Sequence, residues 1–274
     1  MTLVRGCCKT FAVTLLGGWV AFSCGCAVDG NDDASLLTDF ARSAQSTTPG
    51  EAAREAFNRY DPDTRRKNVT LLAQAPFGGE EVYLDLYRLL LEDPVPTVRA
   101  ACARALGRHG TPADVERLEP LLTDENGFVR WEAAKSMKKL HNPAAIDSLI
   151  ERLNEDDDLD VRMACARALG QYPRPRVFDA LVGALDDPEF GVSRAAADSL
   201  RTLTGQDFDR DARAWLAWSR EHRRSLFEQG KLYTYQPYAG PPHFLYRLLV
   251  DPVIFWSDPE PPEPRVPTGL RRPS

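Results

Sequence analysis

The sequence predicts an all-α protein, an α-solenoid of about four to five stacked helix pairs followed by an irregular tail rich in aromatic residues and proline. One observation is a repeated decamer, because residues 98–107 read VRAACARALG and residues 161–170 read VRMACARALG. A second is the period, since aspartates precede successive copies of this motif at spacings of 31, 32 and 31 residues. A third is the spacing of apolar residues, which follows one helix face within each unit. Helix pairs of this kind bury both of their faces only by stacking on their neighbours.

The composition fits a folded chain that does not bind nucleic acid. The 274 residues are 43% hydrophobic and 27% charged, which is ordinary for a globular protein. The formal net charge is −6, so no overall positive field attracts nucleic acid or anionic lipid. We therefore expect a protein partner and no nucleic-acid partner.

Residues 1–25 have the pattern of a signal peptide. Arg5 and Lys9 precede the uncharged run FAVTLLGGWVAF, which is short for a membrane span. The following SCGC resembles the lipobox of bacterial lipoproteins, in which small residues precede a cysteine that is lipidated and becomes the new N-terminus. The resemblance implies lipid attachment at Cys26, with Cys24 as the alternative. It also implies an extracytoplasmic location on a bacterial membrane, at the periplasmic face or in the cell envelope. Plain secretion and a retained membrane segment are the other interpretations.

Residues 26–52 are predicted to be a polar tether between the anchor and the solenoid. They are rich in aspartate, serine and threonine, a composition that does not favour a packed core. The solenoid is predicted over residues 53–225, and a helix at 51–60 is expected to cap its first unit. A degenerate first unit is predicted to begin at Asp61.

Each unit is predicted to hold two helices. In the first decamer, residues at i, i+4, i+7 and i+8 define one apolar helix face: Val98, Cys102, Ala105 and Leu106. Gly107 and Gly110 are predicted to bracket the end of that helix. Pro112 opens the second helix, ADVERLEPLL, because the missing N–H of proline is not needed in a first turn. Leu106 and its counterpart Leu169 are therefore predicted to be buried.

The repeat resembles HEAT repeats, and most closely the short bacterial PBS-lyase HEAT-like type. An aspartate, a Val-Arg pair five or six residues later and a final Ala-Leu-Gly recur over roughly residues 61–205. The resemblance implies that these aspartates and arginines form a structural ladder between adjacent units. The ladder residues are Asp93, Arg99, Asp124, Arg130, Asp156, Arg162 and Asp187. In the fourth unit Ser193 occupies the arginine position, as is common in a terminal unit. A pair that recurs in every unit is structural and not catalytic.

The cysteines and histidines of the repeats predict neither a catalytic nor a metal site. Cys102 and Cys165 hold the same position two units apart, too far for a disulfide, and each is expected to be a small buried apolar residue. His109 and His141 are expected in surface turns. The sequence has no His-Glu dipeptide, H-E-x-x-H motif, phosphate loop or G-x-S-x-G motif. We expect no metal, no cofactor and no enzymatic activity.

Two segments follow the predicted solenoid. Residues 226–256 are rich in aromatic residues and are predicted either to cap the last helix pair or to dock a partner. Contact with a membrane surface is a third interpretation, although the run FLYRLLVDPVIFW is too short to span a bilayer. Residues 257–274 are rich in proline and arginine and are predicted to be an extended, flexible tail.

The sequence favours a non-enzymatic scaffold for protein–protein interaction, anchored by lipid outside the cytoplasm. The concave face of the solenoid is expected to bind the partner, and outward residues of the second helices are expected to line it. These residues are Glu116, Arg117, Glu119, Asp147, Glu151, Arg152 and Asp179. The alternative is a subunit or assembly factor of an envelope complex that docks by its aromatic segment. A bilin lyase-like enzyme is a weaker alternative raised by the resemblance.

Overall fold

The computed structural model describes residues 14–15, 18–19, 48–236 and 263–271. Cys24, Cys26 and most of the tether, the aromatic segment and the signal peptide lie outside these residues. Within residues 1–47, which form a compact unit of their own, the described residues form two short strands. They are β1 (Thr14–Leu15) and β2 (Gly18–Trp19), and they pair antiparallel. No helix within the described ranges is long and apolar enough to cross a membrane.

Eleven α-helices lie within residues 48–236, which belong to the compact unit formed by residues 48–274. They are α1 (Pro49–Glu55), α2 (Pro62–Gln74), α3 (Glu81–Leu89), α4 (Pro96–His109), α5 (Val115–Leu118), α6 (Gly127–Met137), α7 (Ile146–Glu155), α8 (Leu159–Leu169), α9 (Pro175–Gly183), α10 (Phe190–Thr204) and α11 (Ala212–Glu221). Short 3-10 helices flank several of them, at Leu90–Glu92, Pro112–Asp114, Glu119–Thr123, Pro143–Ala145 and Ala184–Asp186.

The helices form five successive pairs arranged in two layers. Helices α2, α4, α6, α8 and α10 contact one another in turn and form the first-helix layer. Helices α3, α5, α7, α9 and α11 are their partners and form the second-helix layer, in which α9 contacts both α7 and α11. The predicted all-α solenoid is therefore confirmed for residues 48–236, with five helix pairs.

Local sequence explains where the helices begin and where one of them breaks. Asp61 and Asp211 cap α2 and α11, since each carboxylate accepts backbone N–H groups of the first turn. The predicted second helix ADVERLEPLL is not continuous. Pro120 lacks an N–H group, and the chain changes from α5 to the 3-10 helix Glu119–Thr123 at that point.

The predicted helix faces form the core. Leu106 and Leu169 are both 0% exposed, which confirms their predicted burial. Cys102 and Cys165 are also buried and are free thiols, as expected. Burial raises the pKa of both thiols, so each cysteine behaves as a small apolar side chain.

Gly107 and Gly110 bracket the end of α4 as predicted, because the helix ends at His109 and Gly110 is its C-cap. A Cβ atom at Gly107 would lie 2.5 Å from the Ser136 hydroxyl oxygen of α6. That hydroxyl donates a hydrogen bond of 2.8 Å to the carbonyl oxygen of Ala103. The same contact recurs two units later. There the Ser199 hydroxyl oxygen lies close to where a Cβ atom of residue 170 would be, and it donates a hydrogen bond to a carbonyl oxygen of the preceding first helix. These glycines therefore permit close packing between neighbouring first helices.

The described C-terminal residues 263–271, which we call the C-terminal strap, run back along the solenoid. Tyr235 and Arg265 exchange two backbone hydrogen bonds of 2.8 Å. The N–H of Thr268 donates to the carbonyl oxygen of Lys139, and its carbonyl oxygen accepts from the N–H of His141, both at 2.8 Å. The paired backbone groups and the buried Pro267 of the strap differ from the flexible tail expected at 257–274.

Candidate interaction surfaces

Four arginine–aspartate ion pairs join successive units of the first-helix layer. In each, the guanidinium of one unit donates two hydrogen bonds to the carboxylate of the next. The Nε–Oδ2 distances are 2.8 Å for Arg65–Asp93, 2.8 Å for Arg99–Asp124, 2.8 Å for Arg130–Asp156 and 2.9 Å for Arg162–Asp187. The structure thus pairs each predicted ladder arginine with the aspartate that follows it along the chain.

Each ladder residue also binds backbone groups, so the ion pairs fix the turns as well as the spacing. Nη1 of Arg130 donates to the carbonyl oxygen of Asp124 at 3.0 Å, and the carboxylate of Asp156 accepts the N–H of Asp158 at 3.0 Å. Burial raises the pKa of the Asp156 carboxyl, but hydrogen bonds from Arg130 and Asp158 outweigh it, and the pKa lies below its usual value. The ladder is enclosed and fully bonded, so it is structural.

The two ends of the ladder differ from the sequence-based expectation. Arg65 is the first arginine of the ladder and was missed, because it precedes its aspartate by 28 residues instead of 25 or 26. Asp61, taken as the start of the first unit, caps α2. At the other end Ser193 is buried and donates to the carbonyl oxygen of Phe190, so the ladder stops at Asp187.

The second-helix layer has ion pairs that the repeat pattern did not reveal. Arg88 of α3 donates a hydrogen bond of 2.7 Å to the Asp114 carboxylate, which is 2% exposed. The backbone N–H of Thr111 also binds this carboxylate, and these bonds lower its pKa despite burial. Farther along, Arg176 of α9 pairs with Asp147 of α7. Neighbouring second helices are therefore linked by charge, as the first helices are.

The predicted partner-binding residues all lie on the solvent-facing side of the second-helix layer. A groove of about 300 Å³ lies between the second helices of the second and third pairs. Four predicted residues line it: Glu116, Glu119, Glu151 and Arg152. Arg117, Asp147 and Asp179 are exposed on the same layer outside this groove. The structure therefore brings together four of the seven residues at one site.

Some carboxylates of this surface already have partners. The Ser148 hydroxyl donates to Glu119, and Arg152 pairs with Glu151 at 2.5 Å. Glu116, Arg117 and Asp179 form no ion pair within the described part of the chain. The surface is acidic because carboxylates outnumber arginines among its predicted residues. The charges of Glu116, Arg117 and Asp179 are available to a ligand.

The histidines expected in surface turns are placed differently. His109 is the last residue of α4, and its Nε2 lies 2.7 Å from the carbonyl oxygen of Ala73. His141 is in a turn but is partly buried, stacked on Tyr172 with ring centroids 4.9 Å apart. Burial lowers the pKa of His141. Within residues 48–236 and 263–271, no three His, Cys, Asp or Glu side chains are grouped so that they could hold a metal ion.

Comparisons with known proteins agree on the architecture. The sequence pattern of the family described as HEAT repeats matches residues 50–138, 85–169, 115–201 and 146–217. No curated protein matches the chain.

Among solved structures, the complex of CpcE and CpcF of phycocyanin lyase from Nostoc sp. PCC7120 is similar, with a TM-score of 0.54 and 24% sequence identity. The match covers 60% of this chain and 67% of that one. An engineered protein matches with a TM-score of 0.48 and 20% identity, over 67% of this chain and 95% of that chain. A designed armadillo repeat protein in complex with the peptide (KR)4 matches with a TM-score of 0.47 and 16% identity, over 65% and 92%. At these identities the likeness concerns the fold alone.

Proposed function

The chain belongs to the HEAT-repeat family, and on that basis we propose that it is a non-enzymatic scaffold that binds a protein partner. We further propose that lipid at Cys26, or alternatively at Cys24, holds it on the extracytoplasmic side of a bacterial membrane. The observation that carries the proposal is the exposed second-helix layer. Its outward side chains are accessible to a partner, whereas the ladder of the first-helix layer is enclosed.

A rigid support makes this surface suitable for binding. The four ladder pairs and the ion pair between Arg88 and Asp114 fix the spacing of adjacent units. A surface whose backbone spacing is already fixed loses little backbone conformational entropy when it binds a partner. Preorganisation of this kind supports recognition by a scaffold that does no chemistry.

The chemistry of the surface selects the kind of partner. Glu116, Glu119 and Glu151 line the groove, and Asp179 is exposed farther along the layer. A groove of about 300 Å³ admits side chains of an extended segment. Because carboxylates attract lysine and arginine at long range and fix their orientation on contact, the fitting partner is a basic protein segment.

A paired-variant experiment tests the binding surface. Glu116→Gln with Glu151→Gln removes two negative charges from the groove, and partner capture from native membranes should fall at least tenfold. Glu55→Gln with Glu228→Gln makes the same change in net charge at exposed positions outside the second-helix layer and should leave capture unchanged. Equal capture by both double variants would refute a role for this surface.

The alternative function, docking by the aromatic segment, can be separated from this one. Residues 237–262 lie outside the described residues, but the chain on either side is joined by the backbone pair of Tyr235 and Arg265. A short glycine linker can therefore replace 237–262 without separating the two ends. Retained capture after the replacement supports the second-helix surface, and lost capture supports a subunit that docks by the aromatic segment.

The phycocyanin lyase neighbour raises a lyase-like enzyme as a weaker candidate. Mixing the purified chain with a free bilin and recording its absorption spectrum decides the point. The scaffold proposal predicts no shift of the bilin bands and no covalent adduct, whereas a stable stoichiometric adduct would favour the enzyme.

The anchor needs a separate measurement. Mass spectrometry of the mature protein from its own membranes should find a diacylglyceryl-modified cysteine, at Cys26 or Cys24, as the N-terminal residue. An intact leader or an unmodified N-terminus would refute the lipid anchor while leaving the partner-binding surface untouched.

A further inference from the structure

The outward side of the first-helix layer carries a cluster of positive charge that the proposed partner surface does not use. Its residues occupy equivalent positions on α4, α6 and α8, together with the turn after α6. All of them lie toward the C-terminal ends of these helices. Its residues, which we call the basic face, are Arg104, Arg108, Lys135, Lys138, Lys139 and Arg167. Packed helices lie about 8–10 Å apart, so the basic face extends over about 20 Å.

These charges are poorly compensated. Glu132 is the carboxylate that pairs with Arg104, at 2.9 Å, and with Lys135, at 3.2 Å. Within the described residues, the side chains of Arg108, Lys138 and Arg167 form no ion pair or hydrogen bond. A net positive cluster on a chain of net charge −6 is an asymmetry of charge that attracts anions.

Lys138 is mostly buried and lies among other cations of the basic face. Burial, together with the positive charges of Arg167, Lys139 and Lys135, lowers the pKa of Lys138 to about 8. An approaching anion gains attraction from several cations at once, and Arg104, Arg108 and Arg167 of the basic face are exposed.

Partly exposed aromatic residues border the basic face. The Lys135 Nζ lies 3.4 Å from the centroid of the Trp131 ring. On the other side the Tyr233 hydroxyl donates a hydrogen bond of 2.7 Å to the carbonyl oxygen of Arg167. Lysine and arginine beside partly exposed tryptophan and tyrosine are typical of protein surfaces that lie in the headgroup region of a bilayer.

We propose that the basic face docks on the anionic, phosphate-bearing headgroups of a membrane and so orients the solenoid with its second-helix layer turned away from the lipid. The inference rests on the proposed function for the choice of a membrane as the source of the anion. It adds a second contact to the lipid anchor, because basic side chains near an anionic leaflet are attracted to it independently of the anchor.

The arrangement of the cations favours headgroups over other anions. They come from three separate helices and do not converge on a pocket, so they suit a two-dimensional array of charges better than one small ion. The acidic second-helix layer opposes a long nucleic acid wrapped around the protein. An acidic segment of a protein is the remaining occupant, and the experiment below separates it from lipid.

Vesicle binding by the full chain tests the inference. The probes are vesicles of phosphatidylcholine and vesicles of equal parts phosphatidylcholine and phosphatidylglycerol. The measured quantity is the ratio of the two partition coefficients, because the lipid anchor contributes to both and cancels. Each cation near an anionic surface raises partitioning about fivefold, so Arg108→Gln with Arg167→Gln, both exposed, should lower the ratio about 25-fold.

Arg213→Gln with Arg220→Gln is the matched control, because both arginines are exposed on α11 of the second-helix layer and the change in net charge is the same. The control should keep the wild-type ratio. Equal ratios for the two double variants overturn the inference, as does retention on immobilised polyglutamate without preference for anionic vesicles, which indicates an acidic protein partner.

Inorganic phosphate separates a free anion from a headgroup. If phosphate abolishes vesicle binding at a concentration where sodium chloride of equal ionic strength does not, the site is one for a free anion and the membrane proposal is wrong. Strong binding to neutral vesicles with a ratio near one leaves the anchor in place and refutes only the basic face. Binding to anionic vesicles alone refutes the anchor and supports the basic face.

Discussion

Replacing Gly107 with alanine tests how tightly neighbouring units pack. The new Cβ would lie 2.5 Å from Oγ, 2.6 Å from Cβ and 2.8 Å from Cα of Ser136. Inserting extra atoms into a well-packed core typically costs about 1–3 kcal/mol, and the same range applies to forcing α4 and α6 apart. Strain in the hydrogen bond between Ser136 and the carbonyl oxygen of Ala103 costs about a further 1 kcal/mol. The better helix propensity of alanine returns about 1 kcal/mol. The expected net loss in the free energy of unfolding is therefore about 1–3 kcal/mol.

The assay is urea unfolding of the full chain followed by circular dichroism, with midpoint and slope fitted together. Gly183→Ala is the matched control, because nothing lies within 4 Å of a Cβ atom at the end of α9. The control should be neutral or stabilising by up to about 1 kcal/mol, from helix propensity alone. Ser136→Gly should recover part of the loss in the Gly107→Ala background, since it removes two of the colliding atoms. If Gly107→Ala stabilises the chain as much as Gly183→Ala does, the inferred contact between units is wrong.

Three further predictions concern the core and the ladder. Leu169→Ala should lower the free energy of unfolding by about 2–5 kcal/mol, because a fully buried side chain leaves a cavity; calorimetry would show a lower melting temperature. Arg130→Gln should cost about 3–5 kcal/mol, because it leaves the buried Asp156 carboxylate without its partner, and denaturant unfolding measures this loss. Acidification should destabilise the wild-type chain, because the pKa of Asp156 lies below its usual value. Its contribution is present at neutral pH and is lost progressively below about pH 4, a loss that should be smaller in Arg130→Gln. An identical acid profile for both chains would contradict the role given to the pair.

The sequence predicted the helix pairs because the same apolar spacing recurs in each unit. Val98 and Leu106 repeat as Val161 and Leu169, and all four are fully buried. Periodicity of this kind depends only on local geometry, so it does not require knowledge of what packs against the helix. The number of pairs followed from the length of the periodic region.

The features that were missed depend on contacts between units. Gly107 was recognised only as a residue near the helix end, whereas its absent Cβ also makes room for Ser136, 29 residues away in the sequence. Arg65 lies outside the period of the other ladder arginines, and neighbouring basic residues of α2 made it impossible to single out. The strap pairs backbone groups of Thr268 with those of a turn far away in the sequence, and backbone pairing leaves no side-chain pattern.

The predicted binding surface was partly recoverable from sequence. The outward positions of second helices follow from helical spacing, which placed Glu116, Glu119, Glu151 and Arg152 around one groove. Spacing alone could not show that Ser148 and Arg152 already satisfy two of these carboxylates. The sequence analysis assigned all seven residues equal weight, whereas the structure leaves Glu116 and Asp179 as exposed carboxylates without an ion pair among the described residues.

Site-specific photo-crosslinking in native membranes tests the central claim of a scaffold that binds through its second-helix layer. A photoreactive residue is placed in turn at Glu151, at Asp179 and at Arg104, which lies on the first-helix layer. We predict that Glu151 and Asp179 yield the same single protein adduct and that Arg104 yields none with that protein. An adduct at Arg104 alone, or no common adduct at Glu151 and Asp179, would contradict the proposed function.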